Sequence, residues 1–248
     1  MSTNRLSPAE LFRRYLISQM ELGEREVILE PSTQSAAVVT IEPPQRLTTS
    51  VPVPVMPAVS SSQFTSIAEH NAAICNCQKC PLGKTRTKFV YGVGNPKAKL
   101  LFIGEAPGAD EDRLGEPFVG RAGQLLDKII AAIQLSRQEV YIANILKCRP
   151  PNNREPQPDE VEQCLPYLKE QIRLIQPKLI CLLGRSAAIG ILQKEMPLGK
   201  MRGYWHEFES VPVMVTYHPA ALLRNPAYKK DTWEDMQKLR ARYDSIGE

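Results

Sequence analysis

The chain has 248 residues, 43% hydrophobic and 23% charged, a balance that excludes wholesale disorder and leaves ample length for a buried core. No apolar run nears the roughly 18 residues of a membrane helix, and MSTNRLSPAELFRRY lacks the apolar core of a signal peptide. A cytoplasmic protein with no membrane partner is therefore expected. The 31 basic and 27 acidic residues give a net charge of +4, which permits a nucleic-acid partner without requiring one.

Residues 1–30 open with a helix-start pattern, Ser7, Pro8 and Glu10, followed by Leu11, Phe12, Tyr15, Leu16 and Met20 at helical spacing. A short amphipathic helix is expected there, either packed on the domain or docking a protein partner of unknown identity. From Pro31 to Ser62 there are six Pro, six Ser, four Thr, no Gly and two charges, Glu42 and Arg46. That composition predicts a stiff, partly extended, disordered linker over 31–62. Residues 63–248 read as one α/β domain, expected to be a monomer. Its strand-like runs are 98–104, 139–145, 178–184 and 211–217, separated by the helical patterns AGQLLDKIIAAIQ, DEVEQCLPYLKEQIRLI and SAAIGILQ, with YKKDTWEDMQKLRARY last. Apolar strands alternating with helices predict a mostly parallel sheet covered on both faces, with its site beyond the carboxyl ends of the strands. GYWHEFE before VPVMVTY predicts a local antiparallel hairpin.

The segments that leave the strands carry the chemistry. The first strand runs into Gly104-Glu105-Ala106-Pro107-Gly108 and then Pro117-Phe118-Val119-Gly120; the second ends at Asn144 before Lys147-Cys148-Arg149; the fourth reaches His218-Pro219-Ala220-Ala221-Leu222-Leu223-Arg224. Each feature alone has a structural explanation, as a turn, a cap or a packed histidine. Together, an amide, an aromatic ring and an imidazole at one sheet edge predict a site. Of the six cysteines, Cys77 and Cys80 form C-x-x-C, while Cys148 and Cys164, the latter at the start of a helix, are separated by fifteen residues. Four thiolates from two distant pairs suit tetrahedral zinc or an iron–sulfur cluster, and the wide second spacing favours iron–sulfur. Cys181, inside an apolar strand, and Cys75 are read as bystanders.

GEAPG, PFVG, IANILKCRPP, HPAALLR and the C-x-x-C…C-x15-C set, spread over roughly residues 64–248, together resemble family 4 uracil-DNA glycosylases, the iron–sulfur bacterial and archaeal type. The resemblance implies a three-layer α/β/α sandwich with a central, mostly parallel four-stranded sheet. It implies a [4Fe-4S] cluster on Cys77, Cys80, Cys148 and Cys164, and uracil-containing DNA, single- or double-stranded, as partner. A base buried in duplex DNA must flip into a pocket to be read on its Watson–Crick edge. Phe118 would stack on it, and Asn144 would pair with its N3 donor and O4 acceptor together. Gly104, Glu105 and Ala106 would line the pocket. His218 would donate to uracil O2, where negative charge develops. Leu222 or Leu223 would wedge into the vacated stack and Arg224 would hold a phosphate.

The family 1 motif GQDPYH carries a water-positioning Asp where this chain has Ala106. Glu105 and Glu111 are the nearby carboxylates, expected either to orient water or bar the methyl of thymine, or to hold the loop by hydrogen bonds. Lys84, Arg86, Lys88, Lys147, Arg149, Arg154, Lys200 and Arg202 suit a phosphate-binding rim. The expected reaction is hydrolysis of the N-glycosidic bond of deoxyuridine, leaving an abasic site for base excision repair. Two rivals are a non-catalytic iron–sulfur nucleic-acid-binding protein and a relative that traps uracil covalently. The second needs a histidine-containing insertion after the PFVG region, which this chain lacks.

Overall fold

The computed structural model describes residues 64–246, so the expected N-terminal helix and the 31–62 linker lie outside the described residues. In chain order the elements are α1 (Ile67–Ile74), α2 (Leu82–Thr85), β1 (Val93–Gly94), β2 (Leu100–Gly104), α3 (Ala109–Leu114), α4 (Arg121–Ala132) and β3 (Tyr141–Asn144). After a 3-10 turn (Pro151–Asn153) come α5 (Pro158–Ile175), β4 (Leu179–Leu183), α6 (Arg185–Leu192), α7 (Leu198–Met201), β5 (Trp205–Phe208), β6 (Val211–Thr216), α8 (Pro219–Arg224) and α9 (Tyr228–Ser245).

The sheet order is β1-β3-β2-β4-β6-β5. The four expected strands form its parallel centre, and an antiparallel strand is added at each edge. The expected four-stranded centre is thus flanked on both sides, which makes six strands in all. β5 is the expected hairpin arm. β1 is only two residues long, too short to leave a periodic signal. Pro212 pairs only with β5, because the parallel register with β4 begins at Val213, so its missing N–H removes no central hydrogen bond.

Alternation along the strands divides the core in two. Leu101, Ile103, Ala143, Ile180, Leu182, Val213 and Val215 face α5 and α6, contributing Leu168, Ile172, Ala187 and Ile191. Leu100, Phe102, Ile142, Cys181 and Met214 face the opposite way, onto Leu126 and Ile130 of α4 and Met236 and Leu239 of α9. The fully buried Leu126 and Ile130 each contribute about 2 kcal/mol. Both faces are covered, which is why the strands read as unbroken apolar runs. β3 pairs on one side of β2 and β4 on the other, so the winding reverses at β2 and opens a crevice beyond its carboxyl end.

Candidate active site

Gly104 and Asn144 are register partners at the ends of β2 and β3. The main-chain oxygens of Gly104 and Glu105 then accept from Ile145 and Leu146 N–H, both at 3.0 Å, which zips the two strand exits together. A Cβ on Gly104 would lie 2.4 Å from Asn144 Oδ1 and 2.6 Å from Phe118 Cζ, so only glycine leaves the amide and the ring their places. Asn144 is 2% exposed, and its Oδ1 is buried without a hydrogen-bond partner among the described residues. Buried acceptors are almost always satisfied, so an orphan at the sheet edge that also carries Phe118 marks a candidate contact point.

His218 caps α8, its Nδ1 accepting from Ala220 N–H at 3.1 Å. That bond puts the ring proton on Nε2. Burial pushes the imidazole pKa down to about 4, with Arg224 adding to the shift and Glu111 opposing it, so the ring is neutral at physiological pH. Its centroid lies 5.5 Å from that of Phe118, at 33°. The other two histidines are structural: His70 is buried with Nδ1 2.8 Å from Tyr91 Oη, and His206 Nε2 is 2.7 Å from the Met201 oxygen.

Phe118 is a buried, non-glycine residue at φ 54, a conformation that surrounding contacts must hold in place. Arg137 grips the carbonyl side, Nη1 donating to Phe118 O at 3.2 Å and Nη2 to Pro117 O. Glu111 grips the amide side, its Oε1 accepting from Val119 and Gly120 N–H at 2.9 and 3.0 Å and its Oε2 from Gly108 N–H at 3.1 Å. With three amides on its two oxygens, Glu111 has the loop-holding geometry rather than that of a substrate contact. Gly123 completes the clamp, since a Cβ there would lie 1.8 Å from the Phe118 oxygen. Glu105 is the other carboxylate at this edge. Burial raises its pKa, and a hydrogen bond with Ser186 partly offsets the rise.

Cys77, Cys80, Cys148 and Cys164 line one small cavity with Phe89 and Tyr167, while Cys75 and Cys181 do not reach it. Cys164 sits in the second turn of α5, a little further into the helix than expected. Donors surround the sulfurs: Tyr167 Oη to Cys77 Sγ at 3.2 Å, Arg86 Nη1 to Cys148 Sγ at 3.3 Å and Lys147 N–H to Cys164 Sγ at 3.3 Å. Burial pushes the Cys164 thiol up to about 12 against the pull of Lys147, and raises Cys148 against Arg86. The four sulfurs and the donors aimed at them form a candidate thiolate-ligand set, although among the described residues no three His, Cys, Asp or Glu side chains close on a single metal ion.

A model of the Uracil DNA glycosylase superfamily matches residues 91–237, which span the pocket from β1 to α9. The chain belongs to this superfamily. It is similar to the type-4 uracil-DNA glycosylase of Archaeoglobus fulgidus, 48% identical over 174 residues that cover 67% of this chain and 87% of the relative. The type-4 uracil-DNA glycosylase of Sulfurisphaera tokodaii is 45% identical over 184 residues, covering 71% and 84%. That of Thermotoga maritima is 40% identical over 169 residues, covering 66% and 88%.

Within this superfamily member, the residues expected at the site do not all stand free. Leu222 is 2% exposed and packed inward, whereas Leu223, its neighbour on α8, is 47% exposed. Half of the expected phosphate rim is committed internally. Lys147 is fully buried; Arg86 donates to the Cys75 and Cys77 oxygens; Arg154 pairs with Glu160; and Arg202 forks onto Asp235. Lys84, Lys88 and Lys200 are exposed, as is Arg224, and Arg149 is half-buried with Nε on Asn153 Oδ1. Sequence reasoning missed Arg137 and Gln171. Neither sits in a motif, and each acts on a residue 19 or more positions away.

Proposed function

We propose that this uracil-DNA glycosylase reads a flipped deoxyuridine through Asn144 and releases uracil with a neutral His218 as the leaving-group donor. The observation that carries the reading is the orphaned Asn144 Oδ1. Uracil presents an N3–H to that acceptor and an O4 to the amide N–H. Cytosine presents a bare N3 and an amino group, reversing both contacts and leaving buried groups unpaired, which binding sites of this kind penalise heavily. Phe118, held by Arg137 and Glu111, supplies the stacking face. As the C1′–N1 bond breaks, its electron pair goes to the base, and the Nε2–H of His218 stabilises the charge on O2. Water then adds to C1′, its released proton neutralising the uracil anion, and leaves an abasic sugar. Ala106 offers no side-chain base, and Glu105, with its raised pKa, is the carboxylate left to orient that water. Leu223 is the exposed side chain available to fill the vacated stack, and Arg224 the charge for a flanking phosphate.

Cys77, Cys80, Cys148 and Cys164 would hold a [4Fe-4S] cluster. When bound, such a centre cross-links the segment before the sheet to the β3 exit and α5, and carries negative charge onto the sulfurs. Lys147 is buried with its Nζ committed to two oxygens, so no strand-cleaving amine is proposed. The test is incubation with matched oligonucleotides carrying uracil, cytosine or thymine, in single and double strands. Free uracil and an alkali-labile site from the uracil strand alone are expected. A covalent uracil adduct, or DNA binding without base release, would establish one of the rival readings instead.

A further inference from the structure

The proposed chemistry leaves one buried charge unused. Lys147 is 0% exposed, and its Nζ donates to the Asn144 main-chain oxygen at 2.8 Å and to Gln171 Oε1 at 2.5 Å. Gln171 is itself fixed, its Nε2 donating to Tyr91 O at 3.0 Å. Both acceptors of the ammonium are neutral. Among the described residues Lys147 forms no ion pair with a carboxylate. A buried ammonium is costly unless its donors are taken up, and these two oxygens take two of its three. The Lys147 main-chain N–H donates to Cys164 Sγ at 3.3 Å, and Cys148 is the next residue. The Lys147 oxygen is also tied, accepting from Val90 N–H at 2.9 Å. Reader, buried cation and cysteine thus occupy one five-residue exit from β3, fastened at both ends.

We propose that Lys147 is a positioning residue for base reading: with Gln171 fixing its Nζ, it pins the Asn144 main chain so that Oδ1 faces the pocket unpartnered. The cysteine cavity and the uracil pocket then meet at one residue, whose main-chain N–H donates to Cys164 Sγ while its Nζ holds the Asn144 oxygen. The inference rests on Asn144 as base reader.

The experiment uses full-length holoprotein and Lys147→Met, which keeps the side-chain length and removes the charge and the donor. Four quantities are measured: iron per chain, thermal midpoint, affinity for free uracil, and affinity for abasic-site DNA. The expected result is full iron content, unchanged abasic-DNA affinity, and uracil binding weaker by about tenfold, the loss of one well-placed hydrogen bond. A purely structural lysine would lower the thermal midpoint and leave uracil affinity unchanged, and that result overturns the proposal. If Lys147→Met does not fold or loses iron, Gln171→Met decides. It retains the ammonium and every cysteine but removes one of the two acceptors, and about threefold weaker uracil binding at full iron content is expected. Unchanged uracil affinity in Gln171→Met overturns the proposal. A wild-type protein that releases no uracil would overturn the proposed function and this inference with it.

Discussion

The His218 imidazole accepts a main-chain N–H on Nδ1, which leaves its one proton on Nε2, the proton proposed to meet the departing base. His218→Ala should slow single-turnover uracil release by roughly 10²–10³, the scale for losing one oxyanion donor. Binding to uracil-containing DNA should change much less, because Phe118 and the surface cations remain. His206→Ala should have little effect on rate, since that ring is occupied with the Met201 oxygen. The pH behaviour is set by the sign of the shift. His218 titrates near about 4 in the folded chain against the ordinary 6.5, so on acidification the unfolded chain takes up the proton first. Its contribution therefore destabilises the fold progressively from about 6.5 down to about 4 and is absent above that window. The single-turnover rate should accordingly run without inflection through about 6.5. An inflection there that disappears in His218→Ala would mean that the cationic ring is the donor.

Among the elements, the β3 exit and α5 carry the most. Together they bring Cys148 and Cys164 into the cavity that Cys77 and Cys80 line from the opposite side of the sequence. Cys164→Ser should remove the broad visible absorption of an iron–sulfur centre and reduce the iron content well below about four per chain. Cys181→Ser should leave both unchanged, because Cys181 packs against α4 and α9 on the other face of the sheet. Loss of colour in Cys181→Ser would contradict the ligand assignment. The central strands, the long helices and the convergence of Gly104, Phe118, Asn144 and His218 were all legible in the sequence, because each rests on a local pattern or a contiguous motif. The features that were not legible depend on distant partners. Arg202 reads as a surface cation until α9 brings Asp235 to it from 33 positions away. Leu222 and Leu223 are indistinguishable until α8 forms and turns one inward and the other out. Arg137 belongs to no motif and becomes visible only as the grip on a strained Phe118.

At the scale of the whole domain, the reversal of winding at β2 is what makes a glycosylase out of a layered sheet. It opens the crevice into which β2 delivers the glycine floor, β3 the amide and β6 the imidazole, while the α3–α4 loop delivers the ring. The two faces of the sheet are divided in purpose as well as in packing. α5 lies on the face that holds the cysteine cavity, and α4 on the face that anchors the Phe118 clamp. Asn144 Oδ1, buried without a hydrogen-bond partner among the described residues, is the acceptor on which the proposed specificity rests. The most direct measurement compares wild type with Asn144→Asp for release of uracil and of cytosine from otherwise identical oligonucleotides under single-turnover conditions. A carboxyl group offers the base edge a different donor pattern, so uracil release should fall by about 10² or more and the preference over cytosine should shrink with it. An Asn144→Asp enzyme that keeps both the wild-type uracil rate and the wild-type discrimination would contradict the assignment of Asn144 as the base reader.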